Sequence, residues 1–192
     1  MSERPHPAPS VPPQSVPPRS ALPRSALPRS DLPLSATDTD LQAAWRVFIE
    51  TAARLQTELD DDLRAKAGMT LADYSVLLIL HESPDGRLRM RDLAARMIFS
   101  TSRLSYQVDG MCRRGWLCRE RATEDRRGSY AVLTDEGRAV FRSAAADHAR
   151  CVDDLFFSAL TPADGRDLRA VMAKLAAHLA ERDAQAAETR SS

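Results

Sequence analysis

Beyond residue 38, apolar positions recur at helical spacing in six blocks. In the first, Leu41, Trp45, Phe48, Ala52, Leu55, Leu59 and Leu63 alternate by three and four, which predicts a helix of about 26 residues, roughly 39 Å long. Thr39 or Asp40 begins it and Gly68 stops it, and its Asp60-Asp61-Asp62 run reads as a solvated face. Thr70 caps the second block, LADYSVLLILHE, which is apolar enough to sit at the centre of a domain. SPDG is a turn by composition and leads into a short strand, Arg87 to Arg89. Leu93, Ala94 and Met97 then predict a helix from Arg91 to Ile98. The pattern breaks at Phe99-Ser100-Thr101-Ser102, whose hydroxyls suit the N-cap and first turn of another helix. Leu104, Val108 and Met111 give that helix one apolar face, and Gly115 ends it after Arg114.

Two short helices joined by a tight turn form a helix-turn-helix, although the turn MIFSTS carries no glycine. Trp116 to Arg121 and Ser129 to Leu133 follow as two candidate strands around ATEDRRG, a tip with no large apolar residue to anchor it in a core. A helix-turn-helix followed by such a hairpin is a winged helix. Thr134 with Glu136 and Gly137 starts another long helix, striped by Val140, Phe141, Ala144, His148, Val152, Leu155 and Phe156. Leu160-Thr161-Pro162 is a helix restart, with Pro162 at the first helical position. Leu168, Val171, Met172, Leu175 and Leu179 then stripe a final helix that fades into polar residues after Arg182.

The fold class is therefore mainly α with a small β-hairpin wing, the winged helix flanked by helices at both ends. The expected boundaries are an arm over 1–37, an N-terminal dimerisation helix over 38–69, the winged helix over 70–134, C-terminal dimerisation helices over 135–183 and a disordered tail over 184–192. The arm holds 10 of the 12 prolines and repeats PRSAL, PRSAL, PRSDL, PLS; it has too little apolar content for a core and should be disordered or polyproline-like.

Charge sharpens the picture. From Arg87 to Arg127 there are 11 Arg and no Lys against 5 Asp or Glu, a surplus of +6 in a chain of net charge +0. Positive charge concentrated on a helix-turn-helix and its wing is the electrostatic footprint of a nucleic-acid contact, here double-stranded DNA. No apolar run reaches the roughly 20 residues of a membrane span, and proline breaks the N-terminus before a signal peptide could form. Three cysteines without short paired spacing do not make a disulfide framework, so the expected compartment is cytoplasm.

The first two turns of the second helix supply the candidate DNA contacts Ser100, Thr101, Ser102, Arg103, Ser105, Tyr106 and Gln107. Leu104 and Val108 must point inward, which turns Arg103, Ser105, Tyr106 and Gln107 outward or to the side. Arginine can bond guanine O6 and N7, and glutamine can pair with adenine N6 and N7. Ser100 and Ser102, beside the helix N-terminus, suit phosphate.

Arg87 to Gly137 resembles the winged helix of the multiple antibiotic resistance regulator (MarR) family. DRRGSYAVLTDEGR, a D-x-R wing followed by a strand, LT and EGR, is the most specific part, and SRLSYQVDGMCRRGWL is similar to the family's recognition helix and wing start. Helix order extends the resemblance from about Leu41 to Glu181. It implies that Arg127 enters the minor groove with Asp125 orienting its guanidinium, and Arg126 is then the phosphate contact. It also implies a two-fold homodimer built from the terminal helices, whose apolar stripes a single copy would leave half exposed. Two recognition helices about 34 Å apart would read a pseudo-palindromic operator.

The resemblance further implies release of DNA by a small aromatic or anionic effector bound between the winged helix and the dimer helices. Trp45, Phe48, Tyr74, Leu78 and Trp116 are the candidate lining, although large apolar residues at helical spacing are equally what a core requires. A second option is redox control: Arg113 and Arg114 flank Cys112 and favour its thiolate, with Cys118 following in the wing strand. His148 and Cys151 at i, i+3, with His81 elsewhere, are the only local fragment of a metal site. No cofactor is implied. An enzyme is disfavoured by the lack of a phosphate loop, a metal-ligand cluster or a local nucleophile–base pair. A winged-helix protein adaptor is the other class, and the +6 segment argues against it. Arg127→Ala is expected to weaken DNA binding without unfolding the protein, and unchanged affinity in a salt-controlled titration would remove the wing assignment.

Overall fold

The computed structural model describes residues 39–97, 99–122 and 128–191. The expected arm and the wing-tip residues Asp125, Arg126 and Arg127 lie outside these. The elements run α1 (Thr39–Ala67), α2 (Leu71–His81), β1 (Arg87–Arg89), α3 (Met90–Met97), α4 (Thr101–Arg113), β2 (Leu117–Arg121), β3 (Ser129–Leu133), α5 (Asp135–Leu155) and α6 (Pro162–Ser191). The three strands form an antiparallel sheet in the order β1-β3-β2, with Arg87 opposite Val132 and Leu117 opposite Leu133. The short strand before the helix-turn-helix thus pairs with the second wing strand and closes the unit on itself.

Helix α2 occupies the centre. Val76, Leu77 and Leu80 are fully buried, and Leu63, Met69, Leu93, Leu104, Val108, Met111, Leu117 and Leu133 join the same core from the surrounding elements. Each such side chain contributes on the order of 1.5–3 kcal/mol by leaving water. Thr70 caps α2 reciprocally: its hydroxyl accepts the Asp73 N–H, and the Asp73 carboxylate accepts the Thr70 N–H. At the far end of α4, Gly115 has φ +77. Its N–H donates to Cys112 O, and the Trp116 N–H to Met111 O, so a glycine in the left-handed region closes the helix and sends the chain into the wing.

Two expectations need correction. Asp60-Asp61-Asp62 is not simply a solvated run. Asp60 Oδ1 accepts the Leu71 N–H at 2.7 Å and Oδ2 accepts Arg64 Nε at 2.6 Å, while Asp62 pairs with Lys66 at 2.7 Å. The turn at Gly68 folds the start of α2 back beside the last turns of α1, where a helix N-terminus has unsatisfied donors to offer. Burial pushes the Asp60 carboxyl up, but the Arg64 and Leu71 hydrogen bonds outweigh it and hold it below the ordinary range. Second, the residues expected as a tail from 184 continue α6 to Ser191; Ala, Gln, Glu and Arg are strong helix formers and nothing in the stretch breaks the helix.

The core belongs to the winged helix, the last turns of α1 and the first half of α5. The first half of α1 and most of α6 stand outside it, with Trp45 56% and Val171 60% exposed. Helix α5 is fixed to the wing root through its N-cap: the Thr134 hydroxyl lies 2.7 Å from Gly115 O and 3.0 Å from Trp116 O, and it accepts the Gly137 N–H. A Cβ at Gly137 would fall 2.0 Å from Trp116 O and 2.9 Å from Leu133 Cδ1. Gly137→Ala, normally stabilising inside a helix, is therefore expected to destabilise by about 1–3 kcal/mol in urea unfolding. A gain in stability would show that α5 docks on the wing root less closely.

Candidate nucleic-acid interface

Helix α4 has one face in the core and one in water. Ser100 is its N-cap, accepting the Arg103 N–H at 3.3 Å, with its hydroxyl 3.2 Å from that of Ser102. Leu104, Val108 and Met111 are buried, as the spacing predicts. Thr101, Ser102 and Arg103 are exposed, and Ser105 is half-buried. The Arg103 guanidinium stacks 4.1 Å over the Phe99 ring, which lets a long cation stand out from the helix with less freedom to lose. Tyr106 is 77% exposed, more than the core can explain. Gln107 differs from the others: half-buried, its Nε2 donates to Asp73 Oδ1 at 2.5 Å.

Beside this face lies a cleft of about 240 Å³ lined by Arg89, Met90, Arg91, Thr101, Ser105, Gly128 and Ser129. Two guanidinium groups and three hydroxyls from β1, α3, α4 and the wing root thus share one concavity. Arg89 Nε donates to the Tyr130 hydroxyl at 3.2 Å, and Arg87 stacks 3.8 Å over the same ring. Arg119 braces β2 against α4, reaching Asp109 at 3.1 Å and Ser105 O at 3.2 Å. Sequence reasoning did not single out Arg89, Arg91 or Ser129. For Arg89 the signal was there in RLR, whose alternation along a short strand stacks like charges on one face; Arg91 and Ser129 lie on other elements and carried no such local signal.

The comparisons with known proteins agree with this geometry. A model described as the MarR family matches residues 67–128. Sco3205 of Streptomyces coelicolor, a MarR family transcriptional regulator solved in complex with DNA, is 39% identical; the match covers 74% of this chain and 89% of that one, with a TM-score of 0.71. AbsC, a MarR family transcriptional regulator of the same organism, is 36% identical over 77% of this chain and 99% of its own, with a TM-score of 0.72. The chain belongs to the MarR family. Its function class is accordingly that of a winged helix-turn-helix, DNA-binding transcriptional regulator, and not an enzyme. The Bacillus subtilis regulator YkoM is a more distant relative, 24% identical over 147 residues, 76% of this chain and 94% of that protein.

In this MarR-family chain the five candidate effector residues do not converge. Trp116 is buried in the core beneath the Arg114 guanidinium, 3.5 Å from its ring. Tyr74 is packed 5.5 Å from Phe141 and 4.3 Å from His148 between ring centroids, and Leu78 lies one turn along α2, half-buried. Trp45 and Phe48 pair at 6.2 Å on the exposed half of α1. A cavity of about 470 Å³ lies elsewhere, at the α5–α6 corner, lined by Phe156, Phe157, Leu160, Pro162, Leu168 and Arg169 among others.

The cysteine expectation also changes. Burial raises the Cys112 thiol above its ordinary range, outweighing Arg119 and Arg113, the opposite direction to the one its flanking arginines suggest. Cys118 is exposed. His81 stacks on Phe141, away from any ligand set. No group of three metal-ligating side chains occurs among the described residues. No helix among them is long and apolar enough to cross a membrane.

His148 Nδ1 is buried without a hydrogen-bond partner among the described residues. Burial lowers its pKa, opposed by Asp62. The unfolded chain therefore binds this proton more readily than the folded one, and stability contributed by neutral His148 is lost as pH falls below about 6.5. Denaturation midpoints measured from pH 7.5 to 5.5 should decline, and His148→Leu should flatten the decline. An unaltered slope would place the titration elsewhere.

Proposed function

We propose that this chain is a homodimeric, sequence-specific repressor that binds a pseudo-palindromic operator and is released from it by a small aromatic or anionic effector. The observation that carries the reading is the outward face of α4, where Ser100, Thr101, Ser102, Arg103, Ser105 and the 77% exposed Tyr106 adjoin the arginine-lined cleft. Arg103 and Tyr106 read base edges, the arginine through guanine O6 and N7 and the tyrosine ring against thymine methyl groups. Ser100, Ser102, Arg89 and Arg91 hold backbone phosphates, which fix register without reading sequence. The match of Asp125-Arg126-Arg127 to the family's D-x-R wing supports assigning Arg127 to the minor groove and Arg126 to phosphate.

Pairing is supported by the apolar side chains at the two ends of the chain. Leu41, Trp45 and Phe48 of α1 and Leu168, Val171, Leu175 and Leu179 of α6 are exposed in a single copy, and a second copy would take them out of water. Support for repression comes from YetL of Bacillus subtilis, named a transcriptional repressor, which is 32% identical over 75 residues, 39% of this chain and 45% of its own. The effector seat is assigned to the junction of α2 with α5, where Tyr74 packs on Phe141 and His148; Trp45 and Phe48 lie apart from it on the exposed half of α1.

Fluorescence anisotropy on DNA from upstream of the chain's own gene, against scrambled duplex, tests the core of this reading. Preferred binding that weakens steeply as salt rises is expected. Arg91→Ala should lower affinity on all sequences alike and reduce the log–log salt slope by about 1. Equal, weak binding to both duplexes, and to duplexes chosen from a random pool, would sink the proposal.

A further inference from the structure

Gln107 sits in the second turn of the recognition helix, where a glutamine is expected to read adenine. The geometry points instead to Gln107 as a positioning residue that, through Asp73, sets the rotation of α4 and hence where Arg103 and Tyr106 meet the operator. The inference rests on the DNA-binding reading above and deepens it.

Reading adenine takes both ends of the glutamine amide, the oxygen accepting from N6 and the nitrogen donating to N7. Here the nitrogen is committed inside the protein, 2.5 Å from Asp73 Oδ1. Asp73 is itself only 7% exposed. Its other oxygen, Oδ2, takes the Thr70 N–H and the Thr70 hydroxyl, both at 2.9 Å. That carboxylate cannot swing toward solvent without uncapping α2, and it offers only acceptors, so the amide must present its NH₂ group to it. Turning Gln107 toward a base would leave a buried acceptor short of a partner, the costly direction in hydrogen-bond exchange.

The inner face of α4 cannot supply the same control. Leu104, Val108 and Met111 hold the helix to the core by apolar contact, which is non-directional and tolerates small rotations about the axis. A short, directed bond on the flank does not. Successive residues step about 100° around a helix, so fixing Gln107 fixes the bearing of Tyr106 beside it. At the other end of the helix Arg114 reaches Gly68 O at 2.8 Å. Both bonds end on the corner between α1 and α2, so the recognition helix is registered against that corner from two points.

The test uses the full chain and a duplex selected by it from a random-sequence pool, together with every single-base-pair substitution of that duplex. Gln107→Ala and Gln107→Glu should each weaken binding about tenfold or more, with discrimination reduced across many base pairs together. The exchange Asp73→Asn with Gln107→Glu rebuilds the bond with its polarity reversed and leaves an oxygen to cap Thr70; it should restore affinity to within about threefold of the parent. A base-reading Gln107 gives the opposite pattern: discrimination lost at one base pair only, and an exchange variant as weak as Gln107→Glu. Thermal unfolding of the parent, Asp73→Asn, Gln107→Glu and the exchange variant supplies a second measurement, because a double-mutant cycle without coupling overturns the bond itself. Should the parent chain select no duplex from the pool, the DNA-binding reading falls and this inference with it, a result distinct from failed rescue.

Discussion

Helix α2 imposes the constraint on which the DNA-binding unit depends. A helix with Val76, Leu77 and Leu80 fully buried, and Leu71, Leu78 and Ile79 half-buried, needs apolar cover from the elements around it. Its first turn must also find acceptors for N–H groups that no helix satisfies from within. Thr70 and Asp60 meet that need from the preceding turn and from α1. The order of elements follows: α1 has to end beside α2, α4 has to lie across it, and the sheet has to close the remaining side. The winged helix is in this sense the cover that one apolar helix requires.

Much of this was legible in the residues. Alternation by three and four located the six α-helices of the described residues, and the hydroxyl run after Phe99 marked the recognition helix at its cap, Ser100. β3 was bounded correctly because Ser129 to Leu133 is the one β-rich stretch between a turn and a helix cap. Two of the misreadings share a cause. Asp60 and Gln107 are polar residues on amphipathic helices, which periodicity assigns to solvent; each has a partner at least 11 positions away, Leu71 and Asp73. Local pattern reports which face is apolar and carries no information on which polar side chain meets a distant donor or acceptor. The cleft escaped for a related reason: it is made by four elements, and no single one of them displays it.

The two ends of the molecule divide its work by chemistry. Arginine is concentrated between residues 87 and 127, whereas exposed large aliphatic and aromatic side chains are concentrated on the first half of α1 and on α6. In the proposed dimer and its DNA complex, a polyanion and a second copy of the chain would thus be attracted to different regions by different forces. Salt would weaken the first attraction and not the second, so in that proposal assembly and DNA association could be varied separately in solution.

The Thr134 hydroxyl, shared between the carbonyls at the wing root and the first turn of α5, makes the wing and that helix a single lever. Helix α5 has 21 residues, about 32 Å of rigid rod. A tilt of about 5° at its far end would carry the wing root through roughly 3 Å, the length of one hydrogen bond. In the proposed dimer, small changes in how two copies lean together would therefore translate into whether both wings can touch the same duplex at once. Fit to an operator would then be governed by an angle far from the DNA, with no contact at the DNA surface needing to change.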